Sequence, residues 1–464
     1  MFNSVVYQDR RNKLRALLKS GIVIFLGNNE SPMSYPANTY RYRQDSNFLY
    51  YFGLSMPGLA GIIDIDNGKD VIFGNDVDID DIIWMGPQPS IKELGQKVAV
   101  NETYPFAMLS DIITDATKRK RTIHFLPPYR AENKLILEKL LVIPAASLND
   151  KASIELIKAI VAMRSIKDEY EIKHLDEIQN VGYKMHTTFM KMAREGIYER
   201  EIAGFIEGIA LSNGGTVSFP VILSKHGETL HNHYHGNKLT KGNLVICDAG
   251  FESEMGYATD NTRVAAVGGK FSQQQKEIYQ IVLNTNNAAI EAIKPGIEYR
   301  EIHNLAATIV AEGLKNLGLM KGDTKEAVAA GAHALFFPHG LGHMMGLDVH
   351  DMEDLGENFV GYDNKVKRSE QFGTAYLRLA RKLQTGFVLT VEPGIYFIPA
   401  LIDKWQEERI NSNFINFDKV NQYRNFGGIR LEDDIIVTET GNRILGNKRI
   451  PITINEVEKT VQAK

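Results

Sequence analysis

The segment Pro338–Asp351 carries three histidines, His339, His343 and His350, punctuated by Gly340, Gly342 and Gly346. Imidazoles gathered in this way suit metal ligation, proton transfer or both. Offsets of four and eleven residues would return them to one face of a helix. Pro338 and the glycines work against a helix. An irregular or extended segment, bringing backbone and imidazoles close to a ligand, is therefore expected. One histidine here would read as a surface residue in a glycine-rich turn. Three in this frame read as a site.

Four acids extend the pattern. Asn243–Asp248 is an apolar strand that ends in Asp248, followed by Ala249 and Gly250, and Asp260 opens a second strand through Val267. Phe387–Glu392 repeats the first arrangement, an apolar strand ending in Glu392 before Pro393 and Gly394, and Ile429–Val437 repeats the second with Glu432 inside it. Burying ionised carboxylates among Val, Ile and Leu is costly without a compensating cation. One acid can pair with Arg263 or Arg430; four acids with so few cations point to metal. Singly, each acid reads as a strand-end residue, but with the histidines they read as a metal centre. Four carboxylates and one imidazole form a hard, oxygen-rich set. Two divalent ions about 3.5 Å apart would absorb that charge and activate a water. Manganese suits such ligands best, with cobalt, iron or zinc as substitutes.

Competing chemistries lack their motifs. There is no H-E-x-x-H helix, no G-x-S-x-G elbow and no phosphate loop ending in Gly-Lys-Ser/Thr. Gly340, Gly342 and Gly346 miss the dinucleotide fingerprint by one place. Cys247 is the single cysteine, which excludes an intramolecular disulfide and a cysteine-based zinc site. It is expected to be buried and inert, and its isolation fits a reducing compartment.

The elements that must hold this centre fill a 464-residue chain, which predicts two domains. At 44% hydrophobic and 24% charged, the composition is globular and excludes a disordered or fibrous class. A net charge of -4 argues against nucleic acid or an anionic membrane as partner. The basic run Lys118–Arg121 reads as a solvated turn before a strand. No apolar run reaches the ~18 residues of a membrane span, and Ile22–Leu26 is too short for a signal-peptide core. Cytoplasm is the expected location.

A helix over about 5–20 leads into strands at Gly21–Leu26, Leu59–Ile65 and Asp70–Phe73, with Asp66-Asn67-Gly68 as a hairpin turn. The aromatic run Asn47–Gly53 reads as core. Strand and helix alternate to about residue 150, the mark of an α/β domain. Lys151–Ala193 turns helical, Ser165 is a candidate cap three residues before Asp168, and the boundary is placed there: residues 1–165 and 166–464. A further helix is expected over Glu199–Leu211, and a strand-rich stretch from Gly214. No tandem repeat is read.

In these motifs the sequence resembles the pita-bread metallopeptidases, in their branch of aminopeptidase P and prolidase. The resemblance spans nearly the whole chain. It rests on Asp248-Ala249-Gly250, Asp260-Asn261-Thr262-Arg263, His339 to His343 with His350-Asp351, Val391–Gly394 and Arg430–Asp433, with Arg43–Phe48 and Ile83–Gly86 in the accessory domain. It implies an α/β accessory domain followed by a pseudo-symmetric α/β catalytic domain. The implied reaction is hydrolysis of the bond between an N-terminal residue and a following proline. Asp248 would bind one ion, Asp260 and Glu432 would bridge the pair, and His343 and Glu392 would complete the other. Glu392 would also handle the proton of the attacking water. His350 and His231 would contact the scissile carbonyl and its oxyanion, a role commonly worth a few kcal/mol. His339 and Arg430 would orient ligands. Two departures stand out: Asp248 and Asp260 are one residue further apart than is usual, so that Phe251–Thr259 must bulge, and Met345 replaces a branched aliphatic. His233 and His235 crowd His231 as rivals for its role.

Length preference hinges on Arg378, which reads either as an anchor for a dipeptide's carboxylate or as a solvated helix residue. The aromatic N-terminal segment leans towards aminopeptidase P over prolidase. Asp354–Gln384 and Ala400–Asn425 read as insertions shaping the cleft or a subunit contact. The resemblance further implies a homodimer or homotetramer, with Trp84 and Tyr40 as candidate contact residues. A non-catalytic peptide-binding module is the alternative of another class; the complete ligand set argues against it.

Overall fold

A computed structural model describes residues 1–463. It divides into two compact units, Met1–Arg164 with Asp354–Phe359, and Ser165–Glu353 with Val360–Lys464.

The first unit is a five-stranded mixed sheet, in the order Glu102–Tyr104, Lys69–Phe73, Ala60–Asp64, Ile22–Leu26, Ile123–His124. The central strands run antiparallel with Ile24 opposite Ile62, and the hairpin turns through Gly68, whose φ of 66° suits a residue without Cβ. Ile22, Ile24, Ile62, Phe73, Leu109 and Ile113 form its core. Each such side chain contributes about 1.5–3 kcal/mol on full burial. The aromatic run forms the helix Ser46–Phe52, wholly buried, capped by Asp45 at its start and by Gly53 in the left-handed conformation at its end. By contrast, the short helix Ile79–Met85 buries nothing; Trp84 is 86% exposed, and Tyr40 is also exposed. Arg121, expected in a solvated turn, is only partly exposed and pairs with Asp64 and Asp66.

The second unit is built twice over. The helices Glu169–Met192 and Glu199–Ser212 precede the sheet Asn261–Ala266, Leu244–Ala249, Ile222–Ser224. The helices Gln273–Ala292 and Tyr299–Asn316 precede the sheet Val388–Val391, Asp433–Val437, Asn442–Ile444. A repeat marks the correspondence: Gly196–Ile202 reads GIYEREI and Gly296–Ile302 reads GIEYREI. Both glycines have positive φ, at 91° and 89°, and each segment turns into the second helix of its pair. This signal was present in the sequence and went unread.

One expected cap is corrected. Ser165 ends the helix Ile154–Ser165, and its hydroxyl accepts from Arg381. The next helix starts instead at Asp168, which accepts from the Glu171 amide while Glu171 accepts from Asp168 in return. A carboxylate at the cap also meets the positive end of the helix dipole, which a hydroxyl exploits less.

Behind the histidine segment lie two further buried rings, His303 and His333, 6.3 Å apart. None of their four ring nitrogens has a hydrogen-bond partner. Burial pushes them down to about 3 and about 4, His303 being lowered further by His333. A folded-state value below the unfolded one gives stability that is complete above about pH 6.5 and lost as pH falls towards 4 and 3. Each ring is worth on the order of 3–5 kcal/mol over that range. We expect His303→Phe to flatten the fall in melting temperature between pH 7 and pH 4.5. An unchanged slope would remove these rings from the account.

Candidate metal centre

The two halves meet where the acids lie. Asp248 is on the strand Leu244–Ala249 opposite Thr262, and Thr262 bridges antiparallel to Glu432. Glu432 falls in the break between Gly428–Arg430 and Asp433–Val437, and Glu392 just beyond Val388–Val391. Asp260 immediately precedes Asn261–Ala266, and its amide donates to Asp434. The four acids thus stand at or near strand ends, where side chains leave the hydrogen-bonded ladder and converge. Asn286, from the helix Gln273–Ala292, donates to the carbonyls of Val391 and Leu431, tying both acid-bearing ends of the second half to one helix. Between Asp248 and Asp260 the chain turns tightly, with the Ser253 amide donating to the Tyr257 carbonyl.

The histidine segment is not helical. It runs beside Val388–Glu392: the Thr390 amide donates to the His343 carbonyl, the Met345 amide to Val388, and the Glu392 amide to Leu341. At Gly342 a Cβ would meet the Thr390 carbonyl oxygen at 2.0 Å, so only glycine permits this approach. The far end is anchored by a fully buried ion pair, Lys167 Nζ to Asp351 at 2.6 Å.

Six expected side chains come together. Ligand atoms of Asp248, Asp260 and Glu432 lie within 4.8 Å of one another, as do those of His343, Glu392 and Glu432, and those of Asp260, His343 and His350. Asp260, His343 and Glu432 are each shared between two of these groups. His343 Nδ1–H donates to the Met344 carbonyl, which leaves Nε2 as an unprotonated acceptor. That nitrogen faces Asp260 Oδ2 at 3.4 Å and Glu392 Oε1 at 3.7 Å. Acceptors facing acceptors repel unless a cation or proton lies between them.

The electrostatics agree. Burial raises Asp260 well above the usual carboxylate range, and the charges of Asp248, Asp434 and Glu392 add to it. Glu432 is raised by burial and by Asp260, Glu392 and Asp248. Glu392 is raised by burial first, against the pull of His343 and Arg430. Asp248 Oδ1 and Asp434 Oδ1 are buried without a hydrogen-bond partner. A group of four carboxylates with one guanidinium among them fits divalent cations by charge, ligand type and tautomer.

Arg430 is that guanidinium. It donates to Asp248 at 2.6 Å, to the Tyr396 hydroxyl at 2.8 Å and to Thr262 Oγ1 at 3.2 Å. Arg263 pairs with Asp433 instead, outside the four. His339 donates from Nδ1 to the Gly340 carbonyl and accepts at Nε2 from Tyr396, so His339, Tyr396, Arg430 and Asp248 form one chain of hydrogen bonds. His350 packs against His343, with ring centres 4.0 Å apart and planes tilted by 49°, and donates from Nδ1 to Glu353 at 2.5 Å. His231 is exposed in a turn; burial lowers its pKa, followed by Arg430, while Asp248 opposes them. Of its rivals, His235 is engaged by the Val221 carbonyl. The loop carrying these histidines is pinned by the buried Glu199, which accepts from Lys225 N and from Asn237 Nδ2. Arg378 is not in a helix, as one expectation had it; it lies beyond the turn Thr374–Tyr376 and pairs with Glu353.

Four residues at the site escaped the sequence reading. Thr262 sits two places beyond Asp260, a spacing that places side chains on one face of a strand, and Tyr396 sits four places beyond Glu392. Asp434 was hidden inside an acidic run. Glu353 carried no signal at all.

Comparison with known proteins places these features. The model of metallopeptidase family M24 matches residues 173–439, and that of the aminopeptidase P N-terminal domain matches residues 7–124. Human Xaa-Pro dipeptidase is 31% identical over 463 residues, covering 97% of this chain and 90% of the relative. A probable Xaa-Pro aminopeptidase of Fusarium vanettenii is 31% identical over 450 residues, covering 96% and 91%. The low-pH form of Escherichia coli aminopeptidase P superimposes with a TM-score of 0.81 at 28% identity, over 99% of this chain and 98% of that one. Among the described residues, no helix is long and apolar enough to cross a membrane.

Proposed function

The chain belongs to metallopeptidase family M24, and from that premise we propose that its buried carboxylates and His343 hold two divalent cations serving hydrolysis of Xaa-Pro bonds. It is a metallo-exopeptidase that releases an N-terminal residue from a following proline, with aminopeptidase as the leading reading and dipeptidase as the second. The observation that carries the metal assignment is the unprotonated His343 Nε2 facing Asp260 and Glu392 within a buried group of four acids. Asp248, Asp260, His343, Glu392 and Glu432 are the proposed ligands. Manganese is the proposed metal, on the hardness of four carboxylate donors. Divalent cations at such a site neutralise the carboxylates, polarise a peptide carbonyl and make water acidic enough to attack near neutral pH.

The chain's own residues supply the rest. Glu392, with its proton affinity raised by burial, takes a proton from the attacking water and returns it to the departing proline nitrogen. His231 and His350 face the carbonyl. Because His350 already donates Nδ1–H to Glu353, it donates from Nε2 only as the imidazolium, a form that burial and then His343 oppose, lowering its pKa to about 4 against the pull of Glu353. Arg430 and Tyr396 keep Asp248 and His339 in place.

The test is an assay of the manganese-loaded protein on a proline-containing tripeptide such as Ala-Pro-Leu. Release of free alanine, abolished by a chelator and restored by added metal, is expected. Activity untouched by exhaustive chelation would overturn the metal reading, and cleavage at other bonds would overturn the specificity.

A further inference from the structure

Glu353 lies three residues beyond His350, in the 3-10 turn Glu353–Leu355. Its two oxygens serve two different partners: Oε2 accepts from His350 Nδ1, and Oε1 takes Arg378 Nη1. Both Glu353 and Arg378 are reachable by a ligand, with side chains 39% and 34% exposed. Burial alone would raise the carboxyl, but His350 and Arg378 hold it down at about 2, so it is charged throughout the neutral range. Arg378 joins His343 through Glu353 and the His350 ring, whose centre lies 4.0 Å from that of His343, which places the guanidinium at the edge of the acid–imidazole cluster.

We infer that Glu353 is a specificity-determining residue, which occupies Arg378 in an ion pair and so turns the site away from Xaa-Pro dipeptides and towards longer peptides. The inference rests on the Xaa-Pro peptidase reading. A dipeptide ends in a proline carboxylate, whose natural partner at this site is the Arg378 fork. To reach it, the carboxylate must displace Glu353 and then sit beside a like charge. A longer peptide presents a neutral amide at the same point and meets neither penalty. Arg378 therefore acts as a dipeptide anchor only to the extent that Glu353 releases it. Arg378 is the residue on which the two readings of substrate length divide.

A ligand pair differing only in that charge isolates the effect: Ala-Pro and its C-terminal amide. For Glu353→Gln, close in shape but neutral, the ratio of kcat/KM for the acid to that for the amide is expected to rise about tenfold, chiefly through KM of the acid. Glu353→Ala should move the ratio the same way. In an Arg378→Ala background the Glu353→Gln gain should disappear. If Glu353 only orients His350, both ligands will lose by one factor and the ratio will stay put, which overturns the inference; so does a gain that survives without Arg378. Calorimetry with the same two ligands on the metal-loaded protein reads the ratio without turnover. A wild-type protein that cleaves neither peptide sinks the peptidase reading by itself. The binding ratio then still decides whether Glu353 selects against the carboxylate, with absence of binding by either ligand counting against it.

Discussion

Asp260→Asn is expected to raise the melting temperature of the metal-free protein while removing its activity, two changes that ordinarily oppose each other. Asp260 and Glu432 are buried, which raises the proton affinity of both; Asp248, Asp434 and Glu392 add to it at Asp260, and Asp260 adds to it at Glu432. A folded-state value above the unfolded one means stability that is present at low pH and lost as pH rises through the folded value. The metal-free wild type bears more of that cost as pH rises, and an asparagine does not. Its amide N–H also meets the His343 Nε2 acceptor, which lies 3.4 Å from the present carboxylate oxygen. Relief of about 1–3 kcal/mol is expected, a shift of roughly 2–5 °C, growing from pH 6 to pH 8. Activity should fall by about 10³-fold or more, because a cation contributes several kcal/mol to the barrier. Manganese should then stabilise the variant far less than the wild type. Scanning calorimetry with and without metal, at both pH values, measures all of this. A variant less stable than the wild type when metal-free, yet still active, would show the carboxylate to be structural.

The opposite outcome is expected for Arg430→Met. Arg430 is 3% exposed, and its guanidinium is the cation paired with Asp248. Burial opposes its charge, but Tyr396, Asp248, Glu432 and Glu392 raise its pKa, so it stays protonated. Truncation leaves Asp248 buried and unpaired and deprives Tyr396 of a donor. Losing one partner of a buried ion pair costs about 3–5 kcal/mol. Asp248→Asn in the same chain should recover at least about 1 kcal/mol of this, since it removes the uncompensated charge. Denaturant unfolding of the metal-free single and double variants supplies the cycle. A single-variant cost under about 1 kcal/mol, or a double variant no better than the single, would mean that Asp248 is balanced by something other than Arg430.

Residues legible in the sequence were those whose roles leave a local mark. Asp248 and Glu392 end apolar strands, Asp260 opens one and Glu432 interrupts another, and each is visible against Val, Ile and Leu neighbours. Glycine spacing likewise declared that Pro338–Asp351 would not be a helix, and Gly342 shows why, pressed against the Thr390 carbonyl. The buried aromatic helix Ser46–Phe52 and the hairpin at Asp66–Gly68 were equally local. Even the paired halves were written in Gly196–Ile202 and Gly296–Ile302, had the two segments been set side by side.

Distances across the fold decided the remainder. Asp168 rather than Ser165 caps its helix because Ser165 is already engaged by Arg381, 216 residues away. Arg430 rather than Arg263 reaches Asp248, across 182 residues, because Arg263 points to Asp433. His343 presents Nε2 because Met344 offers a carbonyl to Nδ1, a choice of tautomer that no residue spacing encodes. Glu353 gathers His350 and Arg378 only where two irregular loops touch. Sequence pattern records which groups an element carries and on which side. Proton affinity and partner choice depend on burial and on separations of a few ångströms, and these come into being only when the halves close on one another.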